Sequence, residues 1–178
     1  MTTSHPRLRA SAVAILVATA GLAAPACGDS DDDGGTSEDA TCDVSIELAG
    51  AIVADEIGGE TVTACATQLA SSSSGGVEIL FLVTQQEAVD GVTLKIPEIG
   101  KGATGTLAAG VIVESAGGNY GTDACTATVT EHSLVGPDEL GESWQLRGTV
   151  DCPPIPDPAD GADLIIERFE FAAQVSWL

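Results

Sequence analysis

Residues 123–132 read DACTATVTEH and residues 143–152 read SWQLRGTVDC. How these two stretches answer one another decides the fold. Both alternate small or apolar residues with polar ones at the period of a half-buried strand. Between them lies GPDELG at 136–141, a turn-rich segment. Placing Cys125 opposite Cys152 makes every facing pair of an antiparallel hairpin sum to 277. Ala127 then faces Val150, Val129 faces Gly148, and Thr128 faces Thr149. Thr126 meets Asp151 and Thr130 meets Arg147. Small or apolar meets apolar on one face and polar meets polar on the other, as a one-sided sheet requires.

Working outward, the same signature recurs along the chain. Runs rich in Val, Ile, Thr and Ala, separated by Gly, Asp, Ser and Pro clusters, mark strands at 43–53, 60–68, 77–84, 91–97, 105–114, 123–132, 143–152 and 164–177. No segment carries a helical period. The expected class is therefore all-β, with about eight short antiparallel strands in a two-sheet sandwich or an open barrel. Residues 77–84, VEILFLVT, are apolar on both phases except for Glu78, which predicts a central strand covered on both faces. In the last strand Phe169, Phe171, Ala173, Val175 and Trp177 share one face, with Glu170, Gln174 and Ser176 on the other. Residues 153–163, PPIPDPADGAD, predict an extended connection that cannot pair centrally in a sheet. With Cys125 paired to Cys152, elimination pairs Cys42 with Cys65. Cys65 shares its phase with Thr61, Thr63 and Thr67, so that bridge is expected to run diagonally or between sheets. Loops of this size make each bridge worth about 3 kcal/mol in the chain-entropy model.

The N-terminus is organised differently. His5, Arg7 and Arg9 precede a 15-residue uncharged stretch, 10–24, and then Ala24-Pro25-Ala26, a small-residue cleavage pattern. Residues 1–26 therefore read as a secretory signal peptide. The stretch falls short of the ~20 residues needed to span a bilayer as a helix. The chain has five cysteines, so two bridges leave one, Cys27. Cleavage before it would make Cys27 the new N-terminus. Leu22-Ala23-Ala24-Pro25-Ala26-Cys27 resembles the lipobox of bacterial lipoproteins, which implies acylation of Cys27 and anchoring to a membrane. Plain secretion by cleavage at the same bond would leave a free thiol. Residues 28–41, GDSDDDGGTSEDAT, hold six acids and no large apolar side chain. Such a segment reads as a disordered acidic tether. The domain plan is signal peptide 1–26, lipidated cysteine and tether 27–41, and β domain 42–178.

Charge narrows the function. The formal net charge of the chain is −21, and removal of 1–26 takes away two of six bases and none of 27 acids, leaving −23. A surface this anionic repels nucleic acid, so no nucleic-acid partner is expected. After that cleavage His132 is the one remaining histidine. No Walker loop, G-x-S-x-G elbow, H-E-x-x-H or C-x-x-C is present, and no catalytic, cofactor or metal residue is assigned. Asp29-x-Asp31-x-Asp33-Gly34 opens like an EF-hand calcium loop, but the twelfth position, which must supply a bidentate Glu, is Ala40. The Asp157, Asp160, Gly161, Asp163 cluster reads as a solvated loop, with a calcium site as the alternative. Tyr120, in the Gly-rich stretch 115–123, reads as a residue folded over a sheet edge, with an exposed contact residue as the alternative.

A lipobox-like cysteine, a polar tether and a small disulfide-bonded β domain together resemble the LpqH-type lipoprotein antigens of mycobacteria. The lines that carry the likeness are Gly59-Glu-Thr-Val-Thr-Ala-Cys65, Gly76-Val-Glu-Ile-Leu-Phe81, Ala-Thr-Val-Thr at 127–130, Trp144-Gln-Leu-Arg-Gly148 and Arg168-Phe-Glu-Phe171. The resemblance implies a non-enzymatic lipoprotein of the bacterial envelope, held by a lipid on Cys27 at the periplasmic face or cell surface. Its role would be binding, adhesion or surface structure. The alternative is a carrier of an apolar small ligand, for which the inward positions Ala109, Ala127, Gly148 and Ala173 leave either space or a close-packed core. An enzyme using an acid pair is the third reading.

Overall fold

The computed structural model describes residues 42–68, 75–137, 141–159 and 161–177. They form nine strands: β1 (Asp43–Gly50), β2 (Ala54–Gly58), β3 (Val62–Gln68), β4 (Val77–Val83), β5 (Gly91–Ile96), β6 (Gly105–Ser115), β7 (Gly118–Pro137), β8 (Glu142–Asp151) and β9 (Leu164–Trp177). All pairings are antiparallel, in one sheet of order β2-β1-β9-β8-β7-β6-β5-β4-β3. The two edge strands, β2 and β3, are consecutive in the chain, joined by the 3-10 turn Gly59–Thr61. The sheet therefore curls until its edges approach, and β3 comes against β9. This is a nearly closed barrel and not a two-sheet sandwich. Most strands bury mainly one face, as their alternation demands, because opposite walls of the barrel cover each other; β5 and β8 also bury Thr93, Ser143 and Gln145 on the other phase.

The ninth strand is the short β2, inside a region where the sequence suggested one strand ending at 53 and another beginning at 60. The chain breaks after Gly50, whose φ of +82° places it in the left-handed region and whose missing side chain admits the Asp163 carbonyl. β2 buries Ala54 and Ile57 around the exposed Asp55 and Glu56, a spacing of three that carries no strand signal.

β4 is a second correction. It is not central but next to the edge strand, and Leu82 on its outer face is 40 % exposed. Leu82 lies between Ala64 on β3 and Gly91 on β5, neighbours too small to cover it. The inner face, Val77, Ile79, Phe81 and Val83, is buried as expected.

The hairpin β7–β8 keeps the 277 register from Thr126↔Asp151 through Val129↔Gly148. A bulge then shifts it, so that Arg147 pairs with Glu131 instead of Thr130, and Thr130 Oγ1 donates to the Arg147 carbonyl at 3.3 Å. Facing Val129, Gly148 also pairs with Phe171 across β9, and the Phe171 ring lies over the space a side chain at 148 would fill. Ile46, Ile57, Ile79, Phe81, Leu94, Ile96, Leu146 and Phe169 are fully buried along the axis. Each such side chain contributes about 1.5–3 kcal/mol by leaving water. Ile155, from the Pro-rich connection, plugs one end through a single bridge to Leu164, and Ile99 is buried in the loop at the other.

Two cysteine pairs cross-link the barrel. Cys125 and Cys152 have Cα atoms 4.2 Å apart at the base of the β7–β8 hairpin. Cys42 and Cys65 have Cα atoms 5.6 Å apart and join the start of β1 to β3. Cys65 and Thr67 share a side as expected, opposite the inward Phe81 and Ile79, while a bulge between Val62 and Ala64 takes Thr63 out of that phase and brings Val62 against the core.

Candidate functional site

The barrel axis is filled. Ala109, Ala127 and Ala173 are at most 2 % exposed, and each faces a bulkier partner: Cys125, then Leu107 and Val150, then Leu146. Gly148 makes room for Phe171. The small inward residues therefore close-pack against large ones.

A concave surface lies on the outside wall instead. It is a groove of about 280 Å³ across β1, β9, β8 and the β7 bulge. Two cross-strand rows build it: Ser45, Glu170 and Thr149 in one, Asp43, Ala172 and Arg147 in the other. Ala172, the smallest side chain in the rows, forms the floor, and Thr130 on the bulge closes one side. Arg147 leans towards Glu131, Nε to Oε2 at 3.3 Å, which leaves the floor open. The groove thus offers two carboxylates, three hydroxyls and one guanidinium, a set suited to hydrogen-bonding a polar ligand. It contains no thiol or imidazole to act as a nucleophile or neutral-pH base.

The second distinctive site is at the barrel end where β7 stops and β8 begins. His132 is buried at 7 % exposure, with its ring 5.2 Å from Trp144 (edge-on, 69°) and 5.9 Å from Trp177. Its Nδ1 is 3.2 Å from the Ala103 carbonyl oxygen. Burial pushes the His132 pKa below its ordinary value, and the bond to Ala103 partly opposes this. Gly102, at φ +71°, lies beside the Trp144 ring, which is 3.6 Å from where a Cβ at 102 would stand. Trp144 Nε1 donates to Glu142 at 3.3 Å and Lys101 donates to the same oxygen at 2.8 Å. Those bonds, Lys101's foremost, hold the Glu142 carboxyl below its usual range. Sequence reading missed this cluster because the 277 register puts His132 outside with Thr126, Thr128 and Thr130. The bulge turns it inward, opposite Leu146. The shared phase of Trp144 with Leu146, and of Trp177 with Val175, was the available signal.

The remaining singled-out residues are accounted for one by one. Tyr120 is in β7 opposite Val113, and its hydroxyl donates to Asp157 at 3.3 Å. Desolvation, then the Asp157 charge and hydrogen bond, raise its pKa. It packs on the Pro-rich connection and is no loop-tip contact residue. The other Asp157 oxygen accepts from the Ala159 N–H at 2.6 Å. Among the described residues no group of three or more His, Cys, Asp or Glu could hold a metal ion. All four described cations sit on acids: Lys95 on Glu78, Lys101 on Glu142, Arg147 on Glu131, Arg168 on Glu47. Among the described residues no helix is long and apolar enough to cross a membrane. Cys27, the Asp29–Asp33 run and Asp160 lie outside the described residues. Comparison with known proteins finds no matching family model, no similar curated sequence and no similar solved structure.

Proposed function

We propose that the chain is a lipid-anchored, non-enzymatic lipoprotein of the bacterial envelope, similar in plan to the LpqH-type antigens, whose barrel binds through its outer wall. The observation that supports this reading best is the filled axis. Phe81, Phe169, Leu94 and Leu146 occupy the volume an apolar cargo would need, while the polar groove over Ala172 faces solvent. Two cystine cross-links suit an oxidising compartment outside the cytoplasm. Anchoring rests on the sequence around Cys27, and the reading makes residues 28–41 the spacer between lipid and barrel.

The test is detergent phase partitioning of the wild-type chain and a Cys27→Ser variant, with intact mass measured on the extracted protein. The expected result is a detergent-phase protein that begins at an acylated Cys27, with the variant released or unprocessed. A wholly aqueous wild type with an unmodified Cys27 contradicts anchoring. A small apolar molecule released from the native protein on denaturation, in stoichiometric amount, would favour the carrier instead.

A further inference from the structure

Two polar atoms at the tryptophan-lined end of the barrel are buried without a hydrogen-bond partner among the described residues: Nε2 of His132 and Nε1 of Trp177. Their residues are 7 % and 3 % exposed, and their ring centroids are 5.9 Å apart. Buried polar groups in folded proteins are almost always bonded, because an unpaired one has lost its water for nothing. The bonding sense of each atom is fixed by its chemistry. An indole nitrogen can only donate. The Ala103 carbonyl can only accept, so His132 Nδ1, 3.2 Å from it, carries the proton of the neutral ring and Nε2 is left as an acceptor. One donor and one acceptor therefore belong to the same aromatic cluster, with the Trp144 ring against His132, and they do not bond each other.

We propose that this end of the barrel is a binding site for one water molecule, which accepts a hydrogen bond from Trp177 Nε1–H and donates one to His132 Nε2. Two polar partners are what a buried water minimally requires, and here they are complementary. The bridge ties the stretch of β7 beyond its bulge to the end of β9. Through Nδ1 it also ties both to the loop carrying Ala103. β7 and β9 are not hydrogen-bonded neighbours in the sheet, since β8 separates them.

The test is NMR of the full chain, with the probe being water itself. The Trp177 indole proton, assigned by loss of the other indole signal in Trp144→Phe, should show a cross-peak to a long-lived water. A folded His132→Phe variant should lose it. Should that variant fail to fold, the nitrogen shifts of His132 in the wild type decide, and they should show a protonated Nδ1 and a hydrogen-bonded Nε2. A scalar coupling between Nε1 and Nε2 would reveal a direct bond and overturn the proposal. So would the opposite tautomer, an indole proton with no water contact, or a water cross-peak that survives in folded His132→Phe.

Discussion

Cys125–Cys152 and Cys42–Cys65 cross-link the barrel in places that differ in one respect. The first closes the base of the β7–β8 hairpin, directly beside the ladder that begins at Thr126↔Asp151. The second spans β1 and β3, between which no backbone ladder runs among the described residues. β2 covers β1 only from Ser45 to Leu48, so the start of β1 is left beside β3 at an open seam. Inside that seam Phe81 of β4 meets Phe169 of β9, ring centroids 6.1 Å apart and edge-on. A hairpin thus has hydrogen bonds and a bridge that repeat each other. The seam has side chains and a bridge in place of hydrogen bonds.

The largest effect expected from disturbing this contrast is at the aromatic contact. Phe169→Ala should cost about 3–5 kcal/mol in urea unfolding, the usual range for a buried phenylalanine. Combined with Phe81→Ala the loss should be less than additive, because the rings touch. Full additivity would mean that the seam is not closed there.

The bridges come next. The two close loops of similar length, with sequence separations of 23 and 27, so replacing either pair by serine should cost about 3 kcal/mol. The distinction lies in native-state hydrogen exchange. Loss of Cys42–Cys65 should speed exchange in β3 and the first residues of β1. Loss of Cys125–Cys152 should leave the β7–β8 amides protected. Equal local effects would erase the contrast drawn here.

On the hairpin side, Gly148→Ala pushes a methyl group against the Phe171 ring, at 3.1 Å, and against the Thr128 carbonyl. Overpacking of this kind costs about 1–3 kcal/mol. A neutral result would show that both the Thr128 carbonyl, the closer obstacle, and the Phe171 ring can give way.

The smallest effect is on pH. Burial holds His132 below its ordinary pKa of 6.5, so as pH falls the unfolded chain takes up a proton first. This contribution to stability is full above 6.5 and is lost as pH falls from there through the lowered folded value. Thermal midpoints of wild type should therefore drop more between neutral and mildly acidic pH than those of His132→Gln. Parallel slopes would remove His132 from the account.

The sequence was legible wherever period-two alternation sufficed. The β7–β8 register up to its bulge and the inward face of β9 follow from it, while the prolines alone mark the connection at 153–163. Alternation tells which face of a strand is buried, but not whether the covering wall belongs to a second sheet or to the far side of the same one. Sandwich and barrel therefore look alike in sequence. Bulges are equally invisible, since each shifts the phase by one residue, and two of them brought Val62 and His132 to the inner side. The groove was illegible for a different reason. Asp43, Arg147 and Glu170 are far apart in the chain, and each reads alone as an ordinary solvated charge.

Beyond Arg9, trypsin can cut the chain after only Lys95, Lys101, Arg147 and Arg168. Cys42 and Cys65 both precede Lys95, while Cys125 lies in 102–147 and Cys152 in 148–168. An unreduced digest analysed by mass spectrometry therefore reads the cross-links of seam and hairpin together. The barrel described here predicts 102–147 joined to 148–168 and to nothing else, with the bridge of the seam inside the fragment ending at Lys95. Attachment of that fragment to the other two would contradict both bridges, and with them the closure of the barrel at β1 and β3.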